Sequence, residues 1–331
     1  MFKKFVINQF NKKYSGKELF FCEKIYEDIL FWPFTVHKCC HCTKMPYSPP
    51  LITKEIPKKF NFYDYIKKID TIMSENQNTG NACVGCKFLK KQIVPELKTE
   101  NIFKFITINH FTKCNSNCIY CGIGRKTEDI KFHLLPILKD MVKQKLINKD
   151  VLFNWGGGEP TMCSEFEEIA KFLHEHKYRQ AINSSGIIFS NTIFEGLKDG
   201  SMSIQISPDS GTEETYKKIK RQNNFFKVWE NIKKYAQFPD MLFVKYIFFS
   251  VSANETDIRK FIEKCVNSDV KNIVIDCESK SANNPNSQFG KITQDIVDLA
   301  VLMKHLAIEN NINYQISYQW KDEHKKYIEE N

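Results

Sequence analysis

The chain has 331 residues, 42% of them hydrophobic and 27 of them Phe, enough to bury the core of a catalytic domain plus an appendage and too many for one small module. Its net charge of +9 comes from lysine, since only Arg125, Arg179, Arg221 and Arg259 are arginines; scattered lysines suit a solvated surface better than a nucleic-acid face, where bidentate phosphate contacts favour arginine. No apolar run reaches the roughly 18 residues of a membrane span, and the lysine-rich start has no apolar core of a secretory signal, so a cytoplasmic protein with no membrane partner is expected, nucleic acid being the less favoured partner.

Residues 1–100 differ in kind from the rest. They hold Cys22, Cys39, Cys40, Cys42, Cys83 and Cys86, the pair Pro49–Pro50 and no sustained strand–helix rhythm, which predicts a separate cysteine-rich domain. From about residue 103, short apolar runs alternate with helix-period segments. Strands are predicted at 105–110, 151–155, 180–184, 202–207, 242–249 and 272–277. Among the helices, 164–177 carries the stripe Phe166, Ile169, Ala170 and Leu173, with Ser164 and Glu167 as a capping box. The segment 256–267 carries Ile258, Phe261, Ile262 and Cys265, and 290–308 carries Ile292, Ile296, Leu299, Ala300, Met303 and Leu306. A polar loop is expected at 279–290, an edge strand at 312–320 and a frayed end beyond. Six strand–helix units in series give an α/β fold, an incomplete (β/α)6 TIM-like barrel over 101–289, with the last barrel helix and a C-terminal extension over 290–331.

Nine of the twelve cysteines fall before residue 122, and in a long chain such clustering favours metal binding or catalysis over disulfides. Cys114, Cys118 and Cys121, spaced C-x3-C-x2-C, follow the first barrel strand directly. A complete cubane wants four protein ligands, so three thiolates leave one iron of a [4Fe–4S] cluster open to a substrate or cofactor. With Tyr120 before the last cysteine, the pattern resembles the radical S-adenosylmethionine (radical SAM) enzymes. In that family the amino and carboxylate groups of SAM chelate the fourth iron, and the aromatic residue lies against the adenine. The resemblance implies that the reduced cluster on Cys114, Cys118 and Cys121 splits SAM into methionine and a 5′-deoxyadenosyl radical, which takes a hydrogen atom from a peptide or sugar-containing small-molecule substrate; an RNA-modifying radical SAM enzyme and a non-catalytic zinc-stabilised binding protein are the alternatives. It also implies an external electron donor such as flavodoxin or ferredoxin.

In NWGGGEPT (154–161), Gly156, Gly157 and Gly158 allow close backbone approach to a ligand, and Glu159 offers a carboxylate to an ammonium group. A phosphate-binding loop would need Lys-Ser/Thr where Glu-Pro stands, and a plain tight turn is the bland alternative. A similar run in radical SAM enzymes holds the SAM amino group, which assigns these four residues to the cofactor. The segment ISPDSG (206–211) resembles the family's strand-four stretch, where a Ser and an Asp contact the ribose or carboxylate of SAM. Ser207 and Asp209 are the matching positions, although they also suit a turn that caps the next helix. Asn183, Ser184, Ser185, Lys220 and Arg221 are further candidates for the same pocket.

Of the late cysteines, Cys265 reads as core packing, Cys163 as a thiol before a helix start that is either favoured as thiolate or merely faces solvent, and Cys277 as a strand-end thiol that is buried or faces the substrate. The spacing of Cys22, Cys39-Cys40 and Cys83-x2-Cys86 resembles the SPASM or twitch domains of radical SAM enzymes, which bind auxiliary iron–sulfur clusters. The ligand set chosen is Cys22, Cys40, Cys83 and Cys86, with Cys39, His41 or Cys42 as substitutes and structural zinc as the alternative metal.

Overall fold

The computed structural model describes residues 2–32, 35–37, 51–53, 59–77, 83, 86, 88–121, 129–249, 254–278 and 291–331. The chain divides into two units: Met1–Thr112, Glu128–Gly158 and Cys163–Gln180 form one, and Lys113–Thr127, Glu159–Met162 and Ala181–Asn331 form the other. The predicted loop at 279–290 lies outside the described residues.

In the first unit the chain runs through α1 (Phe2–Tyr14), β1 (Glu18–Phe21), α2 (Lys24–Glu27), β2 (Asp28–Trp32), β3 (Thr35–His37), β4 (Leu51–Thr53), α3 (Phe62–Gln77) and β5 (Lys90–Ile93). It continues through β6 (Phe103–Ile108), α4 (Leu135–Lys143), β7 (Ile147–Trp155) and α5 (Phe166–Glu175). Strands β7, β6, β2, β3 and β4 are neighbours in that order. β6 is parallel to both β7 and β2, whereas β3 and β4 continue antiparallel. A strand flanked on both sides must be apolar, and Phe103, Ile106 and Ile108 of β6 are fully buried. Tyr65 of α3 meets the Phe103 ring edge-on at 5.2 Å. β2 had no rhythm to announce it: the four apolar residues after Asp28 do not distinguish strand from helix, and here Ile29 and Phe31 pair with Ile106 and Ile108. A separate two-stranded sheet joins β1 to β5, with Phe21 opposite Lys90.

The second unit takes up β8 (Arg179–Ser184) from Ala181 onward, then α6 (Asn191–Lys198), β9 (Met202–Ile206), α7 (Glu213–Lys220), α8 (Phe225–Tyr235), β10 (Leu242–Phe248) and α9 (Glu255–Asn267). It ends with β11 (Asn272–Cys277), α10 (Gln294–Glu309), β12 (Asn313–Ile316) and α11 (Asp322–Glu330). Strands β8 to β12 lie in sequence order, and β9 to β12 are parallel. Ile204, Ile206, Val244, Tyr246, Ile273 and Ile275 are buried on one side of these strands, and the alternate positions carry Gln205, Lys245 and Asp276. The fold is therefore α/β with mostly parallel strands, in keeping with an incomplete (β/α)6 barrel.

Three local expectations are corrected. Helix α5 starts at Phe166 with Glu165 as its N-cap, so Ser164 is no capping-box residue; its backbone N–H donates to Asp129 instead, at 3.2 Å. Helix α10 starts only at Gln294, which leaves Ile292 outside it and moves the buried stripe to Ile296, Ala300, Met303 and Ala307. The charged end is not frayed: α11 buries Ile328, whose carbonyl accepts from the Lys304 ammonium at 2.8 Å.

Candidate functional site

The cysteine loop follows β6 and has no regular secondary structure of its own. Its backbone is held by α7: the Ile119 N–H donates to the Ile219 carbonyl at 2.9 Å and the Asn117 N–H to the Lys220 carbonyl at 3.2 Å. Within the loop the Cys121 N–H donates to the Cys118 carbonyl at 3.1 Å. Cys114 and Cys121 are exposed and Cys118 is half-buried. Protein packed around the Cys114 sulfur withholds water and, with the negative charge of Glu159 and the other two thiols, pushes that thiol up to about 12 against the opposing Ser116 N–H. Burial also raises Cys118, against the Lys220 ammonium.

Among the described residues no three His, Cys, Asp or Glu side chains converge tightly enough for a single ion. Asn115 Nδ2 and Ser116 Oγ are buried in this loop without a hydrogen-bond partner, a vacancy that polar ligand atoms would satisfy. Three thiol donors beside orphaned polar atoms fit a cluster with an open iron and a polar cofactor.

The glycine turn serves the chain's own backbone. Gly157 has φ +83, and a Cβ there would stand 3.0 Å from the Phe111 carbonyl; one at Gly156 would stand 2.9 Å from Asn109 Oδ1. The Gly156 and Gly158 N–H groups donate to the Ile108 and Phe111 carbonyls at 3.1 and 3.3 Å. Glycine is thus required to bring this turn against 108–111. In the second unit, the Glu159 N–H then donates to the Lys113 carbonyl at 2.8 Å. Its carboxylate is 2% exposed. Oε1 accepts from Thr161 N (3.3 Å), Thr161 Oγ1 (2.8 Å) and Ser184 Oγ (2.9 Å), and Oε2 from Ser185 N (2.7 Å). Ser185 Oγ bonds Asn115 Oδ1 at 2.9 Å, tying this carboxylate to the cysteine loop. Ser184 and Ser185, weak candidates in the sequence, are thereby its immediate partners.

Asp209 is fully buried with φ 55, a left-handed backbone unusual for a non-glycine residue. Its Oδ2 pairs with the Lys220 ammonium and accepts from the Tyr120 hydroxyl at 2.6 Å, and its Oδ1 accepts from Ile247 N at 3.2 Å. Burial works to lower the Lys220 pKa, but Asp209 and Cys118 outweigh it and hold the ammonium raised. The Tyr120 ring stacks on Phe249, centroids 5.1 Å apart. Lys220, a candidate partner for a SAM carboxylate, is thus committed inside the protein, and Arg221 is exposed. Ser207 is half-buried just past β9.

The sequence reading missed Asp257, which accepts from Gly211 N (2.9 Å), Thr212 N (3.0 Å), Thr212 Oγ1 (2.7 Å) and the Tyr246 hydroxyl (2.9 Å), fixing the turn that carries Asp209. Only the neighbouring Gly211 hinted at so close an approach.

Among the late cysteines, Cys163 does not face solvent: it is buried, and burial pushes its thiol up to about 12. Cys265 and Cys277 are buried and raised for the same reason. In the first unit, the pairing of Phe21 with Lys90 puts Cys22 beside the turn before β5, where Cys86 N–H donates to the Cys83 carbonyl at 3.1 Å. Burial raises the Cys22 thiol, and the nearby Cys86 adds to the shift. Cys22, Cys83 and Cys86 are thus neighbours. Cys40, with Cys39, His41 and Cys42, lies outside the described residues.

Residues 108–243 match the family model described as the radical SAM superfamily. A GTP 3',8-cyclase of Clostridium botulinum (strain Okra / Type B1) is 25% identical over 138 residues, 39% of this chain and 42% of the relative. A probable GTP 3',8-cyclase of Saccharolobus islandicus (strain Y.N.15.51 / Yellowstone #2) is 30% identical over 173 residues, 51% of this chain and 54% of the relative. The chain therefore spans about half the length of these relatives. Streptococcus suis SuiB, solved with its precursor peptide SuiA, shares the fold with TM-score 0.53 at 11% identity, over 80% of this chain and 56% of SuiB. So does anSMEcpe, solved with AdoMet, with TM-score 0.52 at 15% identity, over 65% of this chain and 63% of that one. The segment 108–243 is thus where the chain is similar to the radical SAM superfamily.

Proposed function

We propose that the chain is an enzyme that cleaves SAM reductively and abstracts a hydrogen atom from a sugar-containing small molecule or a peptide. The observation that carries this reading is Glu159: a buried carboxylate, tied through Ser185 and Asn115 to the three-cysteine loop, whose partners among the described residues are all neutral donors. A buried anion so placed calls for a cation, and the SAM ammonium is one. Cys114, Cys118 and Cys121 would hold a [4Fe–4S] cluster, which with SAM bound supplies the one-electron cleavage and the 5′-deoxyadenosyl radical. The protein holds the loop on the end of α7, orients the amino group at Glu159 and offers Asn115 and Ser116 as polar contacts. Ser207, at the end of β9, is proposed to reach the ribose or carboxylate.

The sugar-containing substrate draws support from the relatives named GTP 3',8-cyclase, and the peptide from SuiB, which was solved with a precursor peptide. We further propose an auxiliary iron–sulfur cluster on Cys22, Cys83 and Cys86 with Cys40, and an external donor of the flavodoxin or ferredoxin kind. The test is anaerobic reconstitution followed by assay for 5′-deoxyadenosine with SAM and dithionite. Replacing Cys114, Cys118 and Cys121 with Ala abolishes the product while far-ultraviolet circular dichroism is unchanged; unaltered turnover in that variant overturns the mechanism.

A further inference from the structure

We infer that Lys220 is a positioning residue for the cysteine loop, tying Tyr120 and the loop backbone to the end of α7. The inference deepens the proposed function, because this loop is the proposed cluster site. Helix α7 ends at Lys220, and Arg221 stops it with a left-handed φ of 52. The last carbonyls of a helix have no partner within it. Here two of them, Ile219 and Lys220, receive Ile119 N–H and Asn117 N–H, on either side of Cys118.

The Lys220 side chain then turns inward and is 5% exposed. Its ammonium donates to the Tyr120 hydroxyl at 2.6 Å and to Asp209, and lies 5.0 Å from the Tyr120 ring centroid. The Tyr120 hydroxyl accepts from Lys220 and donates to Asp209. Asp209 in turn is fixed to β10 through Ile247 N. The residue directly before Cys121 is therefore joined to α7, to the turn after β9 and to β10. A lysine needed only to neutralise Asp209 would require neither the Tyr120 contact nor the loop docked on its own carbonyl. The pair is an ion pair and a brace at once, and the two roles separate by mutation. Replacing one partner strands a buried charge, whereas replacing both with neutral groups leaves none.

The test uses the full chain. Hydrogen exchange of residues 113–121 is followed by mass spectrometry without cluster, and the electron paramagnetic resonance spectrum of the reduced cluster is recorded after reconstitution. Lys220→Met is expected to speed loop exchange by about tenfold or more, the loss of one charge-assisted hydrogen bond. The double variant Asp209→Asn/Lys220→Met is expected to recover the wild-type thermal midpoint while its loop stays fast and its cluster spectrum stays altered. If loop protection returns with the midpoint, Lys220 only neutralises Asp209 and the inference falls. It falls equally if Lys220→Met leaves loop exchange unchanged. Should Lys220→Met not fold, the double variant alone decides. Exchange is read without a cluster, so failure of the cluster reading, seen as absent 5′-deoxyadenosine in wild type, is a separate result.

Discussion

Replacing Glu159 with Gln removes one charge and little volume from the proposed SAM site. The carboxylate accepts four hydrogen bonds, three on Oε1 and one on Oε2. A glutamine keeps the three-donor cluster if its oxygen stays at Oε1, but its amide nitrogen then faces the Ser185 N–H, donor against donor. The second face of that nitrogen meets the ligand ammonium, again donor against donor. A hydrogen bond to a charged group contributes about 1.5–3 kcal/mol, so SAM affinity should fall about 10- to 150-fold at about 1.4 kcal/mol per tenfold. The lost Ser185 bond should cost about 1–3 kcal/mol of stability in addition. The assay is calorimetric titration of SAM into anaerobically reconstituted protein, with iron content and thermal midpoint measured on the same sample. Iron content should match wild type, since Glu159 is no cluster ligand. Affinity within a factor of about two of wild type at full iron content would remove Glu159 from the site. Loss of iron would tie it to the loop and not to SAM.

Gly211→Ala would place a Cβ 2.1 Å from the Asp257 carbonyl and 2.2 Å from Phe261 N, backbone atoms that cannot yield. A cost of about 3 kcal/mol or more should lower the midpoint by roughly 6–12 °C in differential scanning calorimetry; an unchanged midpoint would mean that α9 and the 209–212 turn are not so close. Glu165, buried, accepts from His110 Nε2 (3.1 Å), Leu134 N (3.0 Å) and His133 Nδ1 (3.1 Å). Burial raises its carboxyl, but these partners prevail and hold it below the ordinary carboxylate range. A depressed folded-state pKa contributes stability above the unfolded value of about 4.3 that is lost as pH falls through the folded one. Glu165→Gln should therefore cost on the order of 1 kcal/mol at pH 7 and flatten the acid decline in urea unfolding, and a parallel decline would refute this. Changing Cys22, Cys83 and Cys86 together to Ser should lower iron from about eight to about four per chain. Zinc in the wild-type protein, alongside about four irons and 5′-deoxyadenosine, would make that site a zinc site.

The elements legible in the sequence were those with a long period. The stripes Phe166, Ile169, Ala170, Leu173 and Ile258, Phe261, Ile262, Cys265 are buried as expected, because a helix on a sheet leaves its apolar positions little choice. β2 was illegible because the four apolar residues after Asp28 have no period, and α11 because its charges hide the single anchor Ile328. At the site, covalent spacing was readable and long-range commitment was not. Three thiols within eight residues announce themselves. That Lys220 reaches Tyr120, one hundred residues earlier, depends on where α7 stops. Asp257 was invisible for the same reason, being forty-five residues from the turn it holds.

The resemblance assigned two acids, Glu159 and Asp209, to the same cofactor, and their surroundings favour different roles. Both are buried, at 2% and 0% exposure, and a buried carboxylate carries a desolvation cost of several kcal/mol that neutral hydrogen bonds offset only in part. Asp209 meets that cost internally, with the Lys220 ammonium on one oxygen and a hydroxyl and a backbone N–H besides. A SAM hydroxyl could reach Asp209 only by competing with a cation already in contact. Glu159 has four donors and, among the described residues, no cation. Its Oε2, with a single N–H, retains capacity for another donor. An arriving ammonium completes the charge balance at Glu159 and would disrupt it at Asp209. The electrostatics thus favour Glu159 as the acid that meets the cofactor and Asp209 as the one that keeps the cysteine loop in place to receive it.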